Sequence, residues 1–319
     1  MADTLARTAA TARDDVPVRR QNRWTRRETR AAYLFLSPWL LGFFVFMALP
    51  MIASLVISFT DYDVLSSPRF VGLENYRTLF SDPDVVRSLG NTVFYTVLHV
   101  PLSLLISLGL AMLLVRLSRG SAFFRTVIYL PVMTPPVAIG VLFLLLLNGQ
   151  TGLINDLLGW FGVAGPNWTT DPSWIKPGIV LMSLWTVGAS VVIFLAALKE
   201  VPLQLYEAAV VDGATPWQRF RHITLPMISP SIFFVLVVNT LASLQLFTEV
   251  YTMFFGNEVT RSSSGDAALF YVVYLFQQAF TFLHMGYASA MAWLLFLVVL
   301  LVTLVQLRLS KRFVHYEGE

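Results

Sequence analysis

Cysteine is absent from all 319 residues, which removes disulfide frameworks, thiolate zinc sites and cysteine nucleophiles and leaves the redox compartment open. Charge is scarce as well. Asp, Glu, Lys and Arg make up 13% of the chain against 56% hydrophobic residues, with a mean hydropathy of +0.67, whereas an ordinary soluble domain carries about 25% charged residues. Lysine occurs only at Lys176, Lys199 and Lys311, none of them in a GxxxxGK[ST] context, so this chain has no phosphate-binding loop of that type. There is no internal repeat and no second copy of any motif, which counts against architectures built from duplicated halves. A net charge of +3 and a pI near 9.2 point at first to nucleic acid. The basic residues, however, are placed by the apolar runs and form no single surface interleaved with aromatics.

What the chain has in quantity is long charge-free runs. A bilayer core of roughly 30 Å takes about 20 helical residues, and on that measure six spans are predicted, at about 32–59, 91–115, 126–148, 177–198, 226–248 and 285–307. The sequence therefore predicts an all-α integral membrane protein with six transmembrane helices. The run from Ala31 to Thr60 is too long for a cleaved signal peptide and is expected to stay as a span. No Asp, Glu, Lys or Arg occurs from Ala267 to Leu307, but Gly286 and the polar residues Gln277, Gln278 and His284 divide that stretch and leave one span in it. Pro38, Pro50, Pro101, Pro135 and Pro136 fall in or near the spans, where each removes a backbone donor; they serve packing or a pathway equally well.

Charge sets the orientation. With six spans, the eight arginines of residues 1–30, then Arg116, Arg119, Arg125, Lys199, Arg219, Arg221, Arg308, Lys311 and Arg312, all fall on one side. The other side receives only Arg69, Arg77, Arg87, Lys176 and Arg261. An excess of Lys and Arg marks the cytoplasmic face, so both termini are placed on the cytoplasmic side of the membrane. The expected organisation is a basic tail over 1–30, a six-span membrane domain over 31–312 and a short cytoplasmic tail over 313–319.

The most informative stretch is the predicted cytoplasmic loop 201–226, VPLQLYEAAVVDGATPWQRFRHITLP. Pro202 can begin a helix, and Leu203, Tyr206 and Val210 recur at three and four residues to give one apolar stripe. Asp212 and Gly213 stop it, because glycine tolerates the left-handed conformation of a helix end. Thr215 followed by Pro216 reads as an N-cap with proline in the first turn, predicting a second short helix to about His222. Pro226 then opens the fifth span. An exposed apolar ridge of this kind needs a protein partner.

Glu207, Ala208, Ala209, Gly213, Ile223, Leu225 and Pro226 match at fixed spacing the EAA signature of permeases in ATP-binding-cassette importers, and Asp212 with Ala214 completes the DGA often found within it. FVGLENY at 70–76, Asn91-Thr92, Phe124-Arg125, Gly152-Leu153-Ile154-Asn155 and GYASA at 286–290 resemble the carbohydrate-uptake branch, of the maltose and glycerol-phosphate type. The resemblance implies a type I importer permease with a cytoplasmic coupling-helix pair, itself not an enzyme. It implies a second permease subunit, a separate ATPase dimer, an extracytoplasmic solute-binding protein and a sugar substrate. In that arrangement Glu207 is the charged contact to the ATPase, Gly213 the corner, and Ile223, Leu225 and Pro226 the link into span five. No cofactor is bound by this chain; ATP and Mg are used by the partner ATPase.

Polar side chains within spans are costly unless they face the bundle or water. Asn239 and Ser243 share one face of span five, Gln245 and Glu249 another. Asn239, Ser243, Gln245 and Trp185 are the candidates for the substrate path, with interhelical hydrogen bonding as the competing reading. Glu249, near the outer end, is expected to face water. His99, without a carboxylate in its own span, reads as a packed, hydrogen-bonded residue in preference to a proton relay. Asn167-Trp168-Thr169 has the form of a glycosylation acceptor but reads as a turn. Two other classes fit a polytopic chain. An ion-coupled secondary transporter would need buried ionisable groups, which the span centres lack; a non-transporting assembly subunit would have no use for the EAA loop.

Overall fold

The computed structural model describes residues 26–117, 119–256 and 265–313. The chain separates into two compact units, residues 1–54 and 55–319. The first contains α1 (Arg26–Phe43), a π-helical turn Phe44–Ala48 and the start of α2 (Leu49–Ile57). Arg26, the first described residue, is already helical, inside the stretch expected to be a tail; residues 1–25 lie outside the described residues, as do 314–319 of the C-terminal tail. From Arg30 to Ile57 the chain is continuous apolar helix, with Phe35, Trp39 and Phe46 largely exposed.

The second unit opens with a two-stranded antiparallel ladder, β1 (Thr60–Asp61) on β2 (Arg69–Phe70), and a short helix, α3 (Glu74–Ser81). Helix α4 (Pro83–Arg116) follows, 34 residues long and about 51 Å at 1.5 Å per residue. Its start is over-determined: Asp82 accepts the Asp84 amide at 2.9 Å, Pro83 occupies the first turn and Asp84 adds negative charge there. The buried stripe Ser88, Thr92, Thr96, Val100, Ser103, Ser107 and Ala111 keeps three- and four-residue spacing. Side chains this small let neighbouring helices approach closely without a hydrophobic driving force.

Two spans are bent. Helix α5 (Ser121–Tyr129) with a 3-10 turn to Met133 meets α6 (Pro136–Leu146) at 99°, and α8 (Pro172–Leu184) meets α9 (Gly188–Glu200) at 50°; between these pairs lies α7 (Leu153–Trp160). Within the predicted span 126–148 the expected loss of donors takes the form of a sharp break, because Pro135 and Pro136 remove two in succession and force Thr134 into an extended conformation. Among the described residues four helices are long and apolar enough to cross a membrane, or up to six if each bent pair is one span.

After α9 come α10 (Leu203–Val211), α11 (Pro216–Arg219), a π-helical segment Phe220–Thr224 and α12 (Leu225–Met227). Then α13 (Ser229–Leu244) and α14 (Thr248–Phe254) form one broken apolar helix, 229–254. From Gly265 the described chain holds a 3-10 turn, Gly265–Ala268, then α15 (Tyr271–Phe276) and a π-turn to Thr281 before α16 (Met285–Phe313). Eleven residues of helix reach about 16 Å, too short for a span. This stretch is fixed by the Asn91-Thr92 pair: Asn91 Nδ2 donates to the carbonyls of Asp266 and Leu269 at 2.9 and 3.0 Å, and Thr92 Oγ1 accepts the Tyr271 amide at 3.0 Å.

The core joins α4, α6, α8 and α14 through Tyr95, Phe143, Ile179, Met182 and Met253, and α4, α9 and α13 through Ala111, Phe194 and Val235. Glycines set the closest crossings. A β-carbon on Gly188 would overlap the Ile128 carbonyl, one on Gly286 the Thr60 carbonyl, and one on Gly140 would stand 2.9 Å from Thr252 Cβ. Asp82 Oδ2 accepts the hydroxyls of Tyr274 and Tyr287 at 2.7 and 2.6 Å, tying α15 and α16 to the head of α4. Burial pushes its carboxyl up, but the two phenols and the Asp84 and Val85 amides outweigh that and hold it below its ordinary value of 3.8.

Candidate coupling loop and transmembrane cavity

The loop 201–226 is organised by backbone hydrogen bonds that the EAA spacing supplies. At the end of α10 the Ala214 amide donates to the Ala209 carbonyl at 2.8 Å and the Gly213 amide to that of Val210 at 3.1 Å. With Asp212 as C-cap and Gly213 at φ +76°, this is a Schellman closure, which requires a left-handed residue four positions after the second alanine of the signature. A capping box follows directly. The Thr215 amide donates to Gln218 Oε1 at 2.7 Å and the Gln218 amide to Thr215 Oγ1 at 3.3 Å. Two helix ends thus meet across the four residues 212–215, each closed by its own cap hydrogen bonds.

The second helix does not stop near His222 as predicted. It passes through the π-helical Phe220–Thr224 into α12, the Leu225 amide reaching back to the Phe220 carbonyl. The wide turn makes room for Pro226, whose ring would clash with a carbonyl in a tight helix. Tyr206 OH and Thr224 Oγ1, 2.9 Å apart, fasten α10 to this segment.

Of the expected apolar stripe, Leu203 and Val210 are exposed while Tyr206 is half-buried, and Val211 and Trp217 add to the exposed surface. Leu203 is 66% exposed, Val210 55%, Val211 88% and Trp217 65%. Glu207 and Ala208 are exposed on the same helix, and Glu207 forms no ion pair with a described residue. A shallow cleft of about 400 Å³ at the corner is lined by Ala209, Asp212, Gly213, Gln218, His222 and Ile223. Leu225 and Pro226 are half-buried beyond it.

A second feature lies between α4, α8, α9 and α13, a cavity of about 200 Å³. Tyr95 and His99 stack with ring centres 5.1 Å apart and planes 5° from parallel. Tyr95 OH donates to Ser183 Oγ at 2.8 Å, His99 Nδ1 and Ser243 Oγ are 3.0 Å apart, and Asn239 Nδ2 donates to Ser103 Oγ at 3.1 Å. Ser190, Thr186 and Glu249 complete the polar wall, with Ile139, Met182 and Leu246 as apolar counterparts. The helix break at 245–247 opens onto this cavity, as expected of non-helical backbone at membrane depth. Hydroxyls, an amide and a stacked ring pair are groups that bind an uncharged polyhydroxylated solute.

Of the four substrate-path candidates, Asn239 and Ser243 line the cavity. Trp185 and Gln245 do not: Trp185, 39% exposed, leans on Phe143 at 5.5 Å, and Gln245 is exposed at the C-cap of α13. Both expectations assumed unbroken helices, and the breaks after Leu184 and Leu244 rotate these side chains away. The same break corrects Glu249, which is half-buried and lines the cavity. His99 is packed and hydrogen-bonded as expected, but also faces the cavity. Tyr95, Ser103, Ser183 and Ser190 had no separate signal in the sequence; only the three- and four-residue recurrence of serine and threonine along α4 hints at an inward face.

A bent, glycine-notched helical bundle, a polar cavity at a helix break and a capped two-helix corner outside it define a multi-pass membrane transport component. The chain belongs to the family described as binding-protein-dependent transport system inner membrane component, which matches residues 100–315. It is 39% identical over 305 residues to the probable ABC transporter permease protein YesP of Bacillus subtilis (strain 168), covering 94% of this chain and 96% of that one. The lactose transport system permease protein LacF of Rhizobium radiobacter is 33% identical over 282 residues, 86% of this chain and 92% of its own. In structure the chain resembles a bacterial ABC transporter involved in the import of the acidic polysaccharide alginate, with a TM-score of 0.79 at 25% identity over 91% of this chain and 98% of that one.

Proposed function

We propose that this chain is the path by which a sugar or related carbohydrate crosses the cytoplasmic membrane, worked by a separate ATPase that docks on the 201–226 loop. In this reading the two bent pairs each count as one span, giving six, with both termini and the loop on the cytoplasmic face as the Lys and Arg distribution requires. A membrane domain over 31–312 then lies between two short cytoplasmic tails. The corner at Gly213 carries the reading: Val210, Val211 and Trp217 are exposed, and so is Glu207, which forms no ion pair with a described residue, about a capped turn. A capped corner with an uncovered apolar surface is built to be held by another protein. ATP and Mg would be used by that partner.

The cargo reading draws on the cavity and on the relatives. Lactose, arabinooligosaccharides and starch degradation products appear in the names of similar permeases. A similar transporter is known in complex with an alginate pentasaccharide-bound periplasmic protein, which supports an extracytoplasmic binding protein here. A second permease subunit would complete the pathway, Asn239 and Ser243 forming part of this chain's share of it. The experiment is purification of the tagged chain from its native host, followed by uptake measurements. An ATPase should co-purify, and Glu207→Ala should abolish most ATP-driven sugar uptake; no ATPase and unaltered uptake would refute the coupling.

A further inference from the structure

A second cleft, of about 360 Å³, lies where α4 and α9 end against the loop, within the range of about 300–1,000 Å³ usual for small-molecule sites. Met112, Val115, Leu198 and Leu203 give it apolar walls, and Arg116 and Arg219 also line it; no acidic residue does. Arg219 Nε is buried with no hydrogen-bond partner, and neither guanidinium pairs with a described carboxylate. A buried unpaired guanidinium nitrogen is a standing cost that an anion would relieve. Arg116 is the last residue of a membrane-crossing helix, which sets the cleft at headgroup depth. Val115 and Leu203, both exposed, continue its walls towards the acyl region.

We propose that this cleft binds an anionic phospholipid, the phosphate between Arg116 and Arg219 and the glycerol and upper acyl carbons along Val115, Leu198 and Leu203. Basic pockets between membrane helices on the cytoplasmic side are suited to such headgroups. The two unpaired cations favour lipid phosphate over a zwitterionic headgroup. The apolar walls favour a lipid over a protein carboxylate, which would leave Met112 and Val115 uncovered. The proposal rests on the membrane orientation given above and is independent of the cargo and of Glu207. Lipid at this point would brace α10 and α11 against the ends of α4 and α9.

The test is native mass spectrometry of the purified complete transporter titrated with phosphatidylglycerol, phosphatidylcholine or inorganic phosphate. One phosphatidylglycerol should be retained per copy of this chain, phosphatidylcholine far less and phosphate alone not at all. Arg116→Gln and Arg219→Gln should each weaken retention about fivefold and together about 30-fold, taking the usual contribution of one basic residue at a membrane surface. Arg116→Lys should keep most of it, and Arg308→Gln, on the exposed face of α16, should not affect it. Equal retention of the two lipids, an unaffected double variant, equal effect of Arg308→Gln, or filling by phosphate alone would each overturn the proposal. A cleft emptied of lipid in the complete transporter but filled in the free chain would assign it to a protein partner and overturn it too.

Discussion

Replacing Gly213 by valine isolates the role of the loop corner. The glycine has φ +76° and no neighbour that a β-carbon would meet within 4 Å, so the substitution adds backbone strain without a clash. Holding a non-glycine residue in the left-handed region costs about 1–2 kcal/mol, with β-branched residues at the upper end. If the corner opens instead, the Ala214–Ala209 and Gly213–Val210 hydrogen bonds are lost, each contributing about 0.5–1.5 kcal/mol. A local bias of roughly 2 kcal/mol shifts the closed corner by about 30-fold relative to open forms, at 1.4 kcal/mol per factor of ten. The corner is exposed and remote from the core, so folding and membrane insertion should be unaffected. In proteoliposomes containing the full transporter, Gly213→Val should reduce sugar uptake per ATP hydrolysed by tenfold or more. Gly213→Asn, which tolerates the left-handed region, should lie within a few-fold of wild type. Equal uptake by the valine and asparagine variants would refute the argument, since it would show that the conformation of this residue does not matter.

Glu207→Ala should leave the amount of chain in the membrane unaltered, because the side chain is exposed, while lowering ATP-driven uptake roughly tenfold or more, the scale of one charge-assisted hydrogen bond. Gly188→Val forces a side chain into the Ile128 carbonyl and should cost about 1–3 kcal/mol as overpacking does, seen as a lower Tm of the purified chain. Asp82 has its folded pKa below the ordinary 3.8, so its stabilisation is complete above that value and is lost as pH falls through the lower folded pKa. Hydrogen-exchange protection of residues 271–281 should decline in that acid window in wild type but stay flat in Asp82→Asn. Asn239→Ala should raise the sugar concentration needed for half-maximal uptake with little effect on basal ATPase activity, whereas Gln245→Ala should do neither, because Gln245 faces away from the cavity.

How much the sequence discloses depends on how far apart the interacting residues are. The loop corner is legible in advance because its Schellman closure and capping box lie within Ala208 to Gln218, and each partner is fixed by spacing. The π-helical turn is less so. Pro226 is visible, but whether a proline ends a helix or widens it depends on what holds the chain on either side, here the Tyr206–Thr224 contact. Asn91 and Thr92 could be matched to a family without any indication of their work, since their partners lie 175 to 179 residues away. Hydropathy located the apolar runs but not their breaks: windows average over the Pro135–Pro136 bend and over 245–247. The cavity is hidden for the same reason. Tyr95, His99, Ser183 and Ser243 sit in three different runs, and only packing brings them together.

The two candidate sites are joined by a single helical path, and that constrains how any force on the loop is transmitted. From Pro216 the chain is helical through the π-turn and α12, is interrupted only at Ile228, and continues in α13 to Leu244. Thr224, held by Tyr206, is therefore about 22 Å along the axis from Asn239 at 1.5 Å per residue. Displacement of α10 and α11 would reach the Asn239–Ser103 and Ser243–His99 contacts along this path, through its one interruption at Ile228. These are the hydrogen bonds that close the cavity against α4. The break at 245–247 sits immediately beyond them, where α14 is pinned to α6 by the close approach at Gly140. Motion delivered from the loop would be absorbed at that break, after the cavity. On the proposed reading, a pull of an ångström or two on the corner need not deform the bundle: it acts on two interhelical hydrogen bonds with a hinge directly behind them.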